Sequence, residues 1–124
     1  MLSIIDVIDG KNVTVRDERV THGEAAILTL KPNIEMKDAM TVVVADLIKF
    51  LSKSTGKMYT HHCEPYSNGF RIQEPGRPSY GLKVAELSGK IVVQPIAVLE
   101  DIDILRRYVQ RIRRIEEENT SGAT

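Results

Sequence analysis

The chain has 124 residues, of which 42% are hydrophobic and 27% are charged. This length and composition are those of one globular domain that can fold without disulfides or metal. Its 17 basic and 17 acidic side chains balance, which argues against a general binder of polyanions but allows a local basic patch. The single cysteine, Cys63, excludes an internal disulfide framework. With no signal-peptide pattern and no apolar run long enough to span a membrane, the sequence predicts a cytoplasmic protein.

The first third of the chain predicts three β-strands. LSIIDVID, the turn Asp9-Gly10 and KNVTVRD have the pattern of a hairpin, because Asp-Gly tolerates the positive φ angles of a tight turn. In that hairpin Ile4 and Ile8 share a buried face with Val13 and Val15. After a polar loop, AAILTLK predicts the third strand.

The segment EMKDAMTVVVADLIKFLSKS predicts an amphipathic helix. Its apolar residues recur at helical spacing and form one stripe that should pack on a sheet. Asn33 stands at the predicted N-cap, and Gly56 is the predicted C-terminal cap. The stripe consists of Met36, Met40, Val43, Leu47, Phe50 and Leu51.

Four short β-candidates follow, and turn residues separate them. They are KMYTHHCE, FRIQE, YGLKVAEL and KIVVQPIAVL, which together predict a meander. A second helix is expected from about residue 100 to Glu117. The prediction is an α+β domain over residues 1–118, with two amphipathic helices on one face of an antiparallel sheet, and a flexible tail over 119–124.

In the second half of the chain, the last hairpin of the meander turns at Ser88-Gly89-Lys90 and leads into a charged amphipathic helix. This order of elements resembles one repeat of the TATA-binding-protein fold. The resemblance covers about half the chain and concerns element order, which implies topology and not function. Kinking of DNA by that fold needs aromatic wedges, whereas this chain has two phenylalanines and no tryptophan.

The stretch YTHHCEPYSNGF places His61, His62, Cys63 and Glu64 in consecutive positions. On a strand, His61 and Cys63 point to one face while His62 and Glu64 point to the other, so the potential ligands are split. A closed zinc site needs about four ligands with spacings that are absent here. We therefore predict no metal and no cofactor. The chain also lacks the catalytic motifs with recognisable spacing, although an enzyme acting on a small molecule or dependent on a metal stays open as an alternative.

The last helix carries two apolar stripes. Val98, Ile102, Leu105, Val109 and Ile112 form one narrow seam, which should pack on the sheet. Ile104, Tyr108 and Ile115 form a second stripe about 100° away, bordered by Arg111. Two stripes exceed what one sheet face usually requires, so either the helix is wedged between two elements or the second stripe is a contact site. We predict the latter, a twofold interface of a homodimer.

The same helix is rich in arginine. Arg106, Arg107, Arg113 and Arg114 either form a solvated face paired with the following glutamates, contact a nucleic-acid backbone, or surround a protein interface. The function predicted from the sequence is a small non-catalytic module that binds another macromolecule, with an unknown protein as partner. A nucleic-acid-binding regulator that uses these arginines is the alternative.

The metal prediction can be tested directly. Protein purified without chelator should hold no stoichiometric zinc, and replacing His61 and Cys63 together by alanine should leave the circular dichroism spectrum intact, because the cluster lacks the ligand geometry of a structural site. Elemental analysis that finds one zinc per chain, lost in the double variant, would contradict it.

Overall fold

The structure is a computed structural model, and it describes residues 2–18, 23–63, 69–96 and 103–122. It confirms the α+β class, with antiparallel strands and helices that share one core. In chain order the elements are α1 (Ile4–Val7), β1 (Thr14–Glu18), β2 (Gly23–Thr29), α2 (Met36–Thr55), β3 (Thr60–Cys63), β4 (Gly69–Glu74), β5 (Arg77–Leu87), β6 (Lys90–Pro95) and α3 (Ile104–Gly122).

The six strands form one sheet in the order β1-β2-β6-β5-β4-β3. Every neighbouring pair is antiparallel. The predicted meander is present as β3 to β6, and its last strand inserts beside β2, so that β6 joins the N-terminal hairpin to the rest of the sheet. None of the helices in the described ranges has both the length and the apolar character to cross a bilayer.

The predicted turn between β5 and β6 lies at Ser88 and Gly89. Their φ angles are 52° and 77°, and Leu87 pairs directly with Lys90. Two consecutive residues with positive φ are the signature of a type I′ turn, whose twist matches that of the strands it joins. This turn fixes the register of the β5–β6 hairpin.

One face of the sheet, here called the inner face, belongs to the hydrophobic core. Its residues alternate along each strand and pack in one cluster with residues from all three helices. Strand residues in this cluster are Val15, Ala26, Leu28, Phe70, Ile72, Leu82, Val84, Ile91 and Val93. The predicted stripe of α2 lies in the same cluster, with Met36 and Phe50 only partly buried, as expected for residues at its margins.

The N-terminal strand is the clearest error of the sequence prediction. Residues 4–7 form a helical turn instead, and Ser3 begins it by donating its backbone N–H to Asp6 Oδ2 at 2.6 Å. This carboxylate satisfies a backbone donor that the first turn of a helix leaves open. Ile4 and Ile8 are nevertheless buried, as predicted, because a spacing of four also places two residues on one side of a helix.

Two helix ends also differ from the prediction. Helix α2 begins at Met36 with Glu35 at the N-cap position, while Asn33 adopts a positive φ of 64° in the preceding turn. Gly56 is confirmed as the C-terminal cap, with a φ of 73°. Helix α3 continues to Gly122, beyond the predicted end, and the part of its seam at Val98 and Ile102 lies outside the described residues.

A polar network joins α2 to α3 at the core boundary. The Tyr108 hydroxyl donates to Asp46 Oδ2 at 2.7 Å. Arg111 donates to both oxygens of the same carboxylate, at 2.9 and 3.2 Å, and the Phe50 ring lies 5.2 Å from that of Tyr108. Burial, reinforced by the Asp46 charge, raises the pKa of Tyr108 well above its ordinary value, so the hydroxyl remains a donor. The Asp46 side chain is only 12% exposed.

Loss of the Asp46 carboxylate should therefore destabilise the fold. Asp46→Ala leaves the buried Tyr108 hydroxyl and the Arg111 guanidinium without their shared acceptor, and we expect the free energy of unfolding to fall by about 3 kcal/mol. Asp38→Ala, at an exposed position of the same helix, should change it by less than about 0.5 kcal/mol. Urea denaturation of both variants measures the difference, and equal effects would show that the network adds no stability.

Candidate functional site

The face of the sheet opposite the core is a surface that no described helix covers. We call it the outer face. None of its residues belongs to the core cluster, and most of its described side chains are partly or fully exposed. The pairing registers assign to it Thr14, Arg16, Ala25, Ile27, Thr29, Thr60, His62, Gly69, Arg71, Gln73, Gly81, Lys83, Ala85, Leu87, Lys90, Val92 and Gln94.

A line of hydrogen-bond donors crosses this face. His62 pairs with Arg71, Arg71 with Lys83, and Lys83 with Gln94. At the other side of the sheet Arg16 pairs with Ala25 and lies on the same face. We call these five residues the donor row. At a strand separation of about 4.8 Å, the row extends over roughly 24 Å.

The charge on the described part of the outer face has one sign. It carries Arg16, Arg71, Lys83 and Lys90, and no carboxylate occurs among its described side chains. The chain as a whole is neutral, so this is a segregated basic surface. Arg16 and Arg71 also interact with other groups of the chain, and a guanidinium has five N–H donors to share.

The register brings two of these cations into direct opposition. Arg71 and Lys83 are Cα partners on neighbouring strands, and like charges at such positions destabilise a sheet. Both side chains are only partly exposed, so water screens the repulsion incompletely. This repulsion lowers the stability of the free protein, and a bound anion could offset it.

A second line of residues across the outer face is mostly apolar, and its side chains become shorter from Ile27 towards Gly69. Thr14, Ile27, Val92, Ala85 and Gly69 are successive partners in the register. Val92 is 8% exposed, and side-chain size falls to hydrogen at Gly69. A Cβ at Gly69 would lie 2.5 Å from the Val84 carbonyl oxygen, so this position requires glycine. The result is an apolar line of residues beside the donor row.

The cluster His61-His62-Cys63 is split between the two faces, as the strand pattern predicted. His61 and Cys63 lie on the inner side of edge strand β3, where the His61 ring packs against Phe70 at 5.9 Å. His62 lies on the outer side, 3.3 Å from Thr60 Oγ1. Glu64 lies outside the described residues. Within the described ranges, no three His, Cys, Asp or Glu side chains come together in a way that could hold a metal ion.

The predicted interface stripe on α3 is not an exposed patch. Ile104 is 3% exposed and Tyr108 is fully buried, because α3 packs against α2 as well as on the sheet. Ile115 is half-buried against the core, and Arg111 is bound to Asp46. The prediction that these four residues form a contact surface is wrong in its premise: the second stripe is covered within the chain. Whether the protein is a homodimer remains a prediction.

The arginines of α3 are exposed, but they are not a uniform basic surface. Arg113 donates to the Val13 carbonyl oxygen at 2.6 Å and so ties the helix to the segment before β1. Arg106 and Arg107 interact with other groups of the chain. Arg114 lies within one turn of Glu117 and Glu118, which are also exposed. The helix therefore presents mixed charge, in contrast to the outer face.

Comparison of the chain with protein-family models, curated proteins and solved structures finds no match. The resemblance to a TATA-binding-protein repeat thus remains one of element order.

The opposed cations give a stability prediction. Lys83→Glu replaces a repulsive cross-strand pair with an attractive one and should raise the free energy of unfolding by about 0.5–1 kcal/mol. The matched control is Lys90→Glu, because Lys90 is on the same face but pairs with the uncharged Thr29 and Leu87. That variant should change stability by less than about 0.5 kcal/mol. Thermal and urea denaturation of the two variants measure the change in the free energy of unfolding. If Lys83→Glu lowers it, Arg71 and Lys83 do not repel each other in the folded protein.

Proposed function

We propose that the protein is a non-catalytic nucleic-acid-binding module that contacts backbone phosphates through the donor row. The observation that carries the proposal is the register of His62, Arg71, Lys83 and Gln94, which aligns four donor side chains on neighbouring strands of an exposed face. Each offers N–H groups, and phosphate oxygens are acceptors. Neutralising several phosphates releases counterions and is the main source of sequence-independent affinity for nucleic acids.

The proposed contact is with the backbone and not with the bases. Stacking of unpaired bases requires aromatic side chains, and the described side chains of the outer face include no aromatic ring except the His62 imidazole. The line beside the donor row consists mostly of small and aliphatic residues, which offer few groups for reading base edges. We therefore expect duplexes of different sequence to bind alike.

This proposal moves the nucleic-acid surface from α3 to the sheet. The sequence pointed to Arg106, Arg107, Arg113 and Arg114, but Arg113 already binds a backbone carbonyl, and exposed glutamates share the last turns of the helix. Those carboxylates would repel phosphate. No carboxylate occurs among the described side chains of the outer face, although Arg16 and Arg71 also interact with other groups of the chain.

A protein partner is the second candidate. The apolar line through Ile27, Val92 and Ala85 ends near Leu87, whose side chain is 62% exposed. An apolar centre with arginine beside it is the usual composition of a protein interface. A protein partner of this kind would need acidic groups opposite the donor row, and it would therefore use the same face as a nucleic acid. A binding experiment separates the two candidates.

Binding should be measured by fluorescence anisotropy with labelled duplexes of two unrelated sequences, first at low salt and then across a salt series. We expect binding in the micromolar range, weakening as salt rises. In the variant Arg71→Gln/Lys83→Gln the slope of log K against log salt should become shallower by about 1.8 per bound chain, because about 0.9 is lost with each phosphate contact. The loss should be similar for both sequences.

Two matched variants serve as controls. Lys49→Gln/Lys53→Gln removes the same charge from the exposed side of α2 and should leave the slope almost unchanged. Arg107→Gln/Arg114→Gln tests the helix surface and should have the smaller effect. Absence of binding to any duplex at low salt, or equal losses in all three variants, would refute the proposed site. An acidic protein bound through Arg71 and Lys83 in place of DNA would favour the second candidate.

A further inference from the structure

The two edges of the sheet differ in how they discourage pairing with another strand. β1 contains Arg16, Asp17 and Glu18 among its five residues, and charged side chains are a common protection of an exposed edge. β3 reads Thr60-His61-His62-Cys63, with no lysine, arginine, carboxylate or proline. Among the described residues of the two edge strands, only those of β3 lack a lysine, an arginine or a carboxylate; Glu64 and Pro65, next in the sequence, lie outside the described residues.

The β3 edge is also sterically accessible. β3 pairs with β4 along one side, and no described strand pairs along the other. His61, His62 and Cys63 are exposed. The outer row of backbone N–H and C=O groups on such a strand is a template for another strand of suitable length.

A second copy of β3 fits this edge by symmetry. In an antiparallel pair, residues directly opposite each other lie on the same face of the sheet. A twofold axis perpendicular to the sheet and passing at His61 or His62 therefore pairs the strand with itself. This axis keeps the inner faces of both chains on the same side of the joined sheet. It also places uncharged side chains of one β3 strand opposite uncharged side chains of the other. Isologous contacts of this kind are the commonest in soluble oligomers.

We propose that two copies of the chain associate edge to edge through β3, forming one continuous twelve-stranded sheet from the two six-stranded ones. The contact replaces the buried α3 stripe as the dimer surface. A peptide strand from another protein is the competing occupant. The second copy is favoured because its strand necessarily carries the same uncharged composition and length, whereas the charged β1 edge would not pair with itself.

The dimer has a consequence for the donor row, and this part depends on the proposed function. The twofold axis leaves both outer faces on the same side of the joined sheet. His62 lies at the β3 end of the row, so when the axis passes at His62 the two rows meet there and form one line across eleven strand spacings, about 53 Å. A duplex could then contact both chains at once, and the number of phosphates neutralised would double.

Cross-linking can detect the contact and its register. In a Cys63→Ser background, His61→Cys or His62→Cys places a thiol near the axis, where opposed residues of an antiparallel pair come within reach of a disulfide. We expect one of these two variants to form a covalent dimer rapidly on mild oxidation. Thr14→Cys, at the exposed end of the other edge, is the matched control and should cross-link at least tenfold more slowly.

Sedimentation equilibrium then tests whether the contact is the one that forms in solution. The wild-type chain should have twice the chain mass, and His61→Lys/Cys63→Lys should be a folded monomer, because lysines at an edge repel a second copy. These substitutions leave the donor row intact. The double variant should still bind duplex, with about half the salt slope of the wild type. Ala45→Lys, on the exposed side of α2, should remain dimeric.

A wild-type monomer, or a dimer that survives the two lysines, would overturn the edge-to-edge contact. A monomer that captures extended peptides through β3 would do the same and identify the competing occupant. If the chain dimerises through β3 but binds no duplex, the dimer stands and the proposed function fails. If duplexes bind to a wild-type monomer, the proposed function stands and the dimer fails.

Discussion

The organisation of this protein depends on the alternation of side chains along strands that are held in one register. Ala26, Val93, Val84 and Phe70 are successive partners across the sheet and all contact the core. Once this row is buried under the helices, the preceding and following residue on each strand must face the outer side of the sheet. A slip of one residue in β4 or β5 would put Arg71 or Lys83 into the core. The hydrophobic face therefore determines where the polar groups of the opposite face are placed.

Much of the fold could be predicted because it depends on local signals. The apolar stripe of α2, the cap at Gly56 and the turn at Ser88 and Gly89 are each specified within a few residues. The N-terminal error came from reading a period of two where a period of four was equally consistent. Ile4, Val7 and Ile8 have helical spacing, and the Ser3 to Asp6 spacing fits a capping box. That second signal could have decided between the two interpretations.

The candidate site could be predicted only in part. Alternation in FRIQ and LKVA shows that Arg71 and Lys83 are on polar faces of their strands, but not that they are opposite each other. That opposition depends on the bulge between Gln73 and Glu74 and on the pairing of two strands, which no periodicity encodes. The burial of Tyr108 likewise depends on Asp46, 62 residues away. The number of apolar stripes on α3 was visible in the sequence, whereas the element that covers the second stripe was not.

The insertion of β6 between β2 and β5 bears on the order in which the protein can be made. During synthesis the β1–β2 hairpin and the β3–β5 meander emerge first, and they have no shared hydrogen bonds until residues 90–95 leave the ribosome. Both pieces then expose a strand edge that is internal in the finished sheet. Closing the long loop between β2 and β6 delays their union further. The nascent chain can therefore form at most two separate half-sheets before β6 emerges, and it relies on this last strand to unite them.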